Sequence, residues 1–243
     1  MSDYPYTPPP PPPYQPPGPP SSTTTIDFAR CFTFAFEDPE WLKKIVVGGL
    51  FYLASFILIG IPFLLGYLAR MCRNVIAGNA RPLPDWDDLG GYFAEGMKLL
   101  VVALVYTLPI LILYGVMIGG MIGLSTVGHA NDGVSAMAGL LGSGLGCLIF
   151  FLAIAIGVLL PAALIRVIAS GNMADGFNFA ANFAFIKTNL SNYLLSIVVQ
   201  LLANFIAQFG VILFCVGIIF TAFWGMCIGG YAFAETHRLS PVK

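Results

Sequence analysis

Five polar residues spaced four apart, Asn192, Ser196, Gln200, Asn204 and Gln208, come closest in this chain to the pattern of a site. Steps of four keep side chains on one slowly drifting helix face. Hydrocarbon offers amides no hydrogen bonds, so in a lipid solvent such a face must turn to other protein groups or to water. Two chemistries follow. One is interhelical hydrogen bonding, worth about 0.6–2 kcal/mol per bond; the other is a wetted path for a polar solute.

A second cluster is the acidic turn Asp85, Trp86, Asp87 and Asp88, which follows Pro82 and Pro84. Carboxylates at a helix start suit the dipole and can cap free N–H groups, and Trp86 suits the headgroup level of a bilayer. A cation or partner site is the alternative. Arg166, at the end of an apolar run, can fix topology by snorkelling or can contact a ligand. His129 and His237 stand apart from any nucleophile or metal partner in sequence. The chain holds no GxSxG, HExxH or phosphate-loop motif and no acid–base pair. Its cysteines, Cys31, Cys72, Cys147, Cys215 and Cys227, form no CxxC pair. The expectation is therefore no catalytic residues, no metal and no cofactor.

Glycines recur at Gly115, Gly119 and Gly123, at Gly142 and Gly146, and at Gly225 and Gly229. Small residues four apart permit close helix crossing, so the helices carrying the first two sets are expected to approach closely. Pro109 and Pro161 fall inside apolar runs, where they should kink a helix and free carbonyls.

The elements that must hold these residues are set by composition. Of 243 residues, 58% are hydrophobic and only 9% charged, against about 25% charged in soluble domains. That is too few charges to coat a water-facing surface, so the solvent is lipid. Net charge is −1, which gives no reason to expect nucleic acid as a partner. Residues 1–25 are rich in proline with interspersed tyrosine and should form an extended, disordered tail, either a tether or a ligand for an aromatic groove. Residues 26–240 form the membrane domain.

Charge-free runs cover residues 45–69, 99–131, 133–165 and 188–234. A spanning helix needs about 20 apolar residues. The second and third runs therefore give one long span each, and the fourth must fold into a hairpin near Gly217. Gly60 and Pro62 mark a matching break in the first run. Phe34–Ala35–Phe36 and Phe183–Ala184–Phe185 precede the two hairpins as copies of one aromatic signal. The expected fold is all-α, a polytopic bundle of about six transmembrane helices in which two short hairpins flank two long spans. Helices are placed at about 42–59, 62–78, 97–124, 137–168, 190–214 and 217–236. Read this way, Lys43, Lys44, Arg70, Arg73, Arg81, Lys98, Arg166, Lys187 and Arg238 all lie on one side, while the loop 125–136 carries no Lys or Arg. The positive-inside rule then puts both termini in the cytoplasm and the protein in the cell membrane. Each arm of the first hairpin, at about 16 residues or roughly 24 Å, is short for a core of about 30 Å. Arg70 and Arg73 must snorkel, or the hairpin dips in without crossing.

Several blocks resemble the prokaryotic membrane family known as domain of unknown function 4013. They begin with Phe34–Ala35–Phe36–Glu37–Asp38–Pro39–Glu40–Trp41, continue with Gly66–Tyr67–Leu68–Ala69–Arg70 and Leu83–Pro84–Asp85–Trp86–Asp87–Asp88, and end with Pro161–Ala162–Ala163 before Arg166. The end at Glu235–Thr236–His237–Arg238 departs from the family pattern. The resemblance implies a bacterial or archaeal integral membrane protein without an established activity. Function is expected to be non-enzymatic, through association with the lipid bilayer, with a membrane-protein partner or with a second copy as a homo-oligomer. The alternative is a transporter or channel-like subunit.

Overall fold

The computed structural model describes residues 25–127, 132–212 and 217–241; the Pro-rich tail, His129 and Cys215 lie outside them. Among the described residues there are eight α-helices and no strand: α1 (Phe28–Thr33), α2 (Trp41–Ala54), α3 (Gly60–Ile76), α4 (Leu89–Val127), α5 (Asp132–Ser170), α6 (Phe179–Thr188), α7 (Leu190–Gln208) and α8 (Gly217–Arg238). The six expected helices are α2 to α5, α7 and α8. Among the described residues, only α4, α5, α7 with its 3-10 extension, and α8 are long and apolar enough to cross a membrane. The other two, α1 and α6, are short helices in the segments that precede each hairpin. Asp27 caps α1 by accepting from Arg30 N–H, and Asn178 caps α6 by accepting from Ala181 N–H.

The first hairpin forms but is shallow. Its arms, α2 and α3, have 14 and 17 residues, and the bend between them is a 3-10 turn ending at Leu58, whose φ of 66° is left-handed. Two residues on, glycine is required at Gly60, where a Cβ would fall 2.0 Å from the Phe51 carbonyl oxygen. Pro62 occupies the first turn of α3, where a missing N–H costs nothing. The tip is apolar and open: Phe56, Ile57, Leu58 and Ile59 are all more than 60% exposed. Such a tip belongs in acyl chains rather than in water.

Depth follows from the charges. Arg70 and Arg73 are ion-paired in the last two turns of α3. The part of α3 beyond them spans about ten residues, or roughly 15 Å, half of a hydrocarbon core of about 30 Å. An apolar stretch of that length is too short to cross such a core unless its arginines snorkel.

The second hairpin is deeper. Here α7 ends in the 3-10 turn Phe209–Ile212, and the 22-residue α8 returns through the centre of the bundle. Some 67% of the apolar window of α8 is buried, against 17% for α4. Helix α8 packs on α2, α3, α5 and α7, and where it crosses α3 the Cys72 thiol lies 3.4 Å from the Gly230 carbonyl.

Of the repeated glycines, those on α8 do lie at a helix crossing, a Cβ on Gly225 falling 3.3 Å from the Ala203 carbonyl oxygen of α7 and one on Gly229 against the Gln200 side chain, while the closest backbone approaches are made by glycines outside the pattern. A Cβ on Gly66 would meet the Tyr92 carbonyl oxygen at 1.9 Å, and one on Gly96 would meet the Pro62 carbonyl oxygen at 1.6 Å. These two join α3 to α4. By contrast, Gly115, Gly119, Gly123, Gly142 and Gly146 have no atom within 4 Å of an added Cβ. The expected crossing of α4 and α5 at those glycines is thus corrected for the single chain. The two helices touch instead near the charged end, where Val102 and Tyr106 join the same buried core as Ile156, Ala163 and Val167. Both run 39 residues, about 58 Å, and so extend past helices of 22 residues or fewer. Gly171, with φ of 74°, ends α5, its N–H closing on Val167 C=O at 2.8 Å.

Candidate functional site

The polar side chains gather in one layer at the end of the bundle that carries the Lys and Arg residues. Its first part clamps the first hairpin. Lys44, buried near the start of α2, has its Nζ 2.7 Å from Asp38 Oδ2, 3.0 Å from Asp85 Oδ1 and 3.0 Å from the Leu83 carbonyl. All three ammonium donors are used. Burial alone would raise the Asp38 carboxyl, but hydrogen bonds from Lys44 and from Glu40 N–H outweigh it and hold the group below the ordinary carboxylate range.

Trp86 folds inward. Its ring stacks on Tyr67 and Phe51, with centroids 4.2 and 4.8 Å apart, and its Nε1 donates to the Lys44 carbonyl at 3.0 Å. The expected interfacial anchor is therefore part of the packing, because a partner for the indole N–H lies inside. The dipole reading of the acidic turn fits the geometry at Asp88, whose Oδ1 accepts from Gly91 N–H at 2.9 Å in the first turn of α4. Its Oδ2 takes Arg70 at 2.8 Å. Those contacts, Arg70 first, hold the Asp88 carboxyl low. Arg70 also lies 4.5 Å over the Tyr92 ring, and Arg73 pairs with Glu95 at 2.9 Å. Asp87 is exposed.

Of the second part only Arg166 was legible in sequence. Asn182 of α6 is fully buried. Its Oδ1 accepts from Arg166 Nη1 at 2.7 Å, and its Nδ2 donates to Tyr106 Oη at 3.0 Å and to the Gly176 carbonyl at 2.8 Å. Tyr106 Oη also donates to Gly176 C=O at 2.7 Å, and Arg166 Nη1 reaches Asp175 C=O at 3.3 Å. The one available signal was an amide isolated in an aromatic segment, Phe179 to Phe185. Beside this cluster lies a 360 Å³ cleft lined by Ile76, Arg166, Ala169, Ser170, Asp175 and His237.

The polar stripe divides. Steps of four advance about 40° each on a helix of 3.6 residues per turn, so the face turns away from the bundle along α7. Asn192 and Ser196 face inward: Asn192 Oδ1 accepts from Ile26 N–H at 3.3 Å, and Ser196 Oγ lies 2.8 Å from Thr236 Oγ1 of α8. Gln200 is half-buried against Gly229 and bonds Asn204 Oδ1 at 3.1 Å. Asn204 and Gln208 are exposed, beside Leu201, Phe205 and Phe209, which are 63%, 63% and 54% exposed.

Burial, with Glu235 and Asp27 nearby, pushes the Cys31 thiol up to about 12, so it stays protonated at neutral pH. Chemically the layer can clamp helix ends, and at Arg166 it presents a cation to a cleft.

The family described as “Protein of unknown function (DUF4013)” matches residues 49–216. No curated protein and no solved structure matches the chain.

Proposed function

The chain belongs to the DUF4013 family of proteins of unknown function, and from that premise we propose a non-enzymatic membrane protein that works by association, binding a second copy or another membrane protein through the outer face of α7. The observation that carries this reading is Asn204, an exposed amide among lipid-facing Leu201 and Phe205. About 20 Å of helix separates it from the start of α7, which puts it at hydrocarbon depth. Lipid leaves its free hydrogen-bonding positions unsatisfied, and a neighbouring protein can fill them. The inner half of the stripe supports the same reading, since Asn192 and Ser196 already bond within the chain and leave no continuous polar path along α7. In this reading the basic end faces the cytoplasm of the cell membrane.

A cysteine at Phe205, in a chain whose native cysteines are replaced by serine, tests it by oxidative cross-linking in native membranes. Asn204→Leu should lower the cross-linked fraction several-fold, as expected for a contact of about 1–2 kcal/mol. An unchanged fraction, or no cross-link in the parent, overturns the reading. A transport subunit predicts a different pattern: Gln200→Leu with Asn204→Leu abolishes flux while assembly persists.

A further inference from the structure

The 360 Å³ cleft at Arg166 does not stand alone. A second cavity of 170 Å³ lies between the same three helices, α3, α5 and α8, with part of its wall from α7. Lining residues of the two cavities sit one turn apart on each shared helix: Cys72 and Ile76, Ile165 and Ala169, Phe233 and His237. Side chains four apart share a face, so the two cavities are consecutive sections of one crevice. Along α8 it runs from Met226 to His237, about 16 Å of helix.

The sections differ in chemistry. The inner one is walled by Leu, Ile, Met, Phe and Pro side chains, with Gln200 as its single amide. The outer one carries Arg166, Ser170 and His237. Among the described residues no carboxylate lies within 4 Å of the Arg166 guanidinium, and its protein hydrogen bonds are made by Nη1 to Asn182 Oδ1 and to the Asp175 carbonyl. Asp175 lines the cleft too, but it is the backbone oxygen that meets Arg166. The Nε–Nη2 edge is left available, and that fork matches two oxygens of a phosphate. Buried Asn182, itself held by Tyr106 and Gly176, fixes the guanidinium in place. A free phosphate would use the outer section and gain nothing from the inner one. An amphiphile uses both.

We infer that this crevice binds an anionic phospholipid, with the phosphate on Arg166 and an acyl chain between α3, α5 and α8. The inference deepens the association reading and rests on it only in that the protein resides in a bilayer. The bound lipid would wedge three helices that otherwise meet across a gap, tying the shallow first hairpin to the long span α5.

The test uses the full chain in nanodiscs of equal phosphatidylglycerol and phosphatidylcholine, followed by native mass spectrometry of retained lipid. The wild type should retain phosphatidylglycerol in preference, and Arg166→Gln should cut that preference roughly tenfold, the loss expected for a charge-assisted phosphate contact. Ser170→Asp, at an exposed position in the cleft, should do the same by repulsion, and it keeps the inference testable if Arg166→Gln does not fold. Equal retention of the two lipids by the wild type overturns the inference, as does an undiminished preference in Ser170→Asp. So does a delipidated protein whose Tm rises with inorganic phosphate and not with phosphatidylglycerol, which would mark a free-phosphate site. Cross-linking through Phe205 reads a different face of the protein, so either proposal can fail alone.

Discussion

Replacing Lys44 by methionine probes the clamp that holds the first hairpin. The Lys44 and Asp38 side chains are 9% and 6% exposed, and the ion pair is 2.7 Å long. Methionine retains the aliphatic stem but deletes all three ammonium bonds. Asp38 would then keep only the Glu40 N–H, at 2.8 Å. Removing one partner of a buried pair costs about 3–5 kcal/mol, chiefly because the other charge is left uncompensated. Asp85, 66% exposed, shows that water reaches one side of this cluster, so the low end, about 3 kcal/mol, applies. That is roughly two powers of ten in the folding equilibrium. Adding Asp38→Asn removes the stranded charge and should recover part of the loss.

Unfolding in mixed micelles with rising SDS, followed by tryptophan fluorescence, measures both variants, and Trp86 reports locally because it bonds the Lys44 carbonyl. The pH dependence has a definite sign. The Asp38 carboxyl is depressed in the folded state, so its contribution is complete above the ordinary carboxylate value of about 3.9. It is lost as pH falls through the lower folded value. The wild type should therefore lose more stability than Asp38→Asn between about pH 5 and about pH 2. A Lys44→Met cost below about 0.5 kcal/mol, the range of ordinary surface substitutions, would refute the reasoning.

Alanine at Gly66 or Gly96 must push α3 and α4 apart, because the obstructing atoms are backbone carbonyls; each should cost about 1–3 kcal/mol or more, while Gly119→Ala should cost nothing in the same titration. Equal costs would contradict the packing described. A cysteine at Ile57, in a cysteine-free background, should resist impermeant thiol reagents from both sides of the membrane, since the tip of a half-depth hairpin lies in acyl chains. Labelling from the side opposite the basic end would show a full crossing.

Much of the architecture was legible because it follows from solvent and charge. Long charge-free runs give α4 and α5, and Gly60 with Pro62 marks the return of the first hairpin. The acidic turn announces the start of α4, although the helix begins at Leu89 rather than near residue 97, since Asp88 caps polar first turns that hydropathy alone assigns to a loop. The glycine reading holds on α8, where Gly225 and Gly229 lie against α7, and failed on α4 and α5 for a physical reason. A search for small residues four apart finds Gly115, Gly119 and Gly123, whereas the actual crossing uses one glycine on each helix, Gly66 and Gly96, which leaves no periodic trace. Of the Arg166–Asn182–Tyr106 cluster only Arg166 stood out in the sequence, because its partners come from two other helices and no spacing ties them to it. For the polar stripe, spacing gave the face correctly near Asn192, but the drift of about 40° per step carries Asn204 out of the bundle.

The shallow hairpin makes the acidic turn intelligible. A helix pair that crosses a bilayer is anchored in water at both ends, whereas one that turns back at mid-depth has aqueous contacts only at its base. Its apolar tip, Phe56 to Ile59, gains no orientation from lipid, which contacts all sides alike. Position must then come from the base, and there the ion pairs bridge the hairpin to the segment leading into α4. Lys44 of α2 meets Asp85, Arg70 of α3 meets Asp88, and Arg73 meets Glu95. All three carboxylates lie at the entry to α4 or in its first turns, on the nearest long span. Lys44 also holds Asp38, just ahead of α2. Asp85 and Asp88 thus act as fasteners between the short first hairpin and the long helix α4. This accounts for the placement of Asp85 and Asp88 beside Trp86.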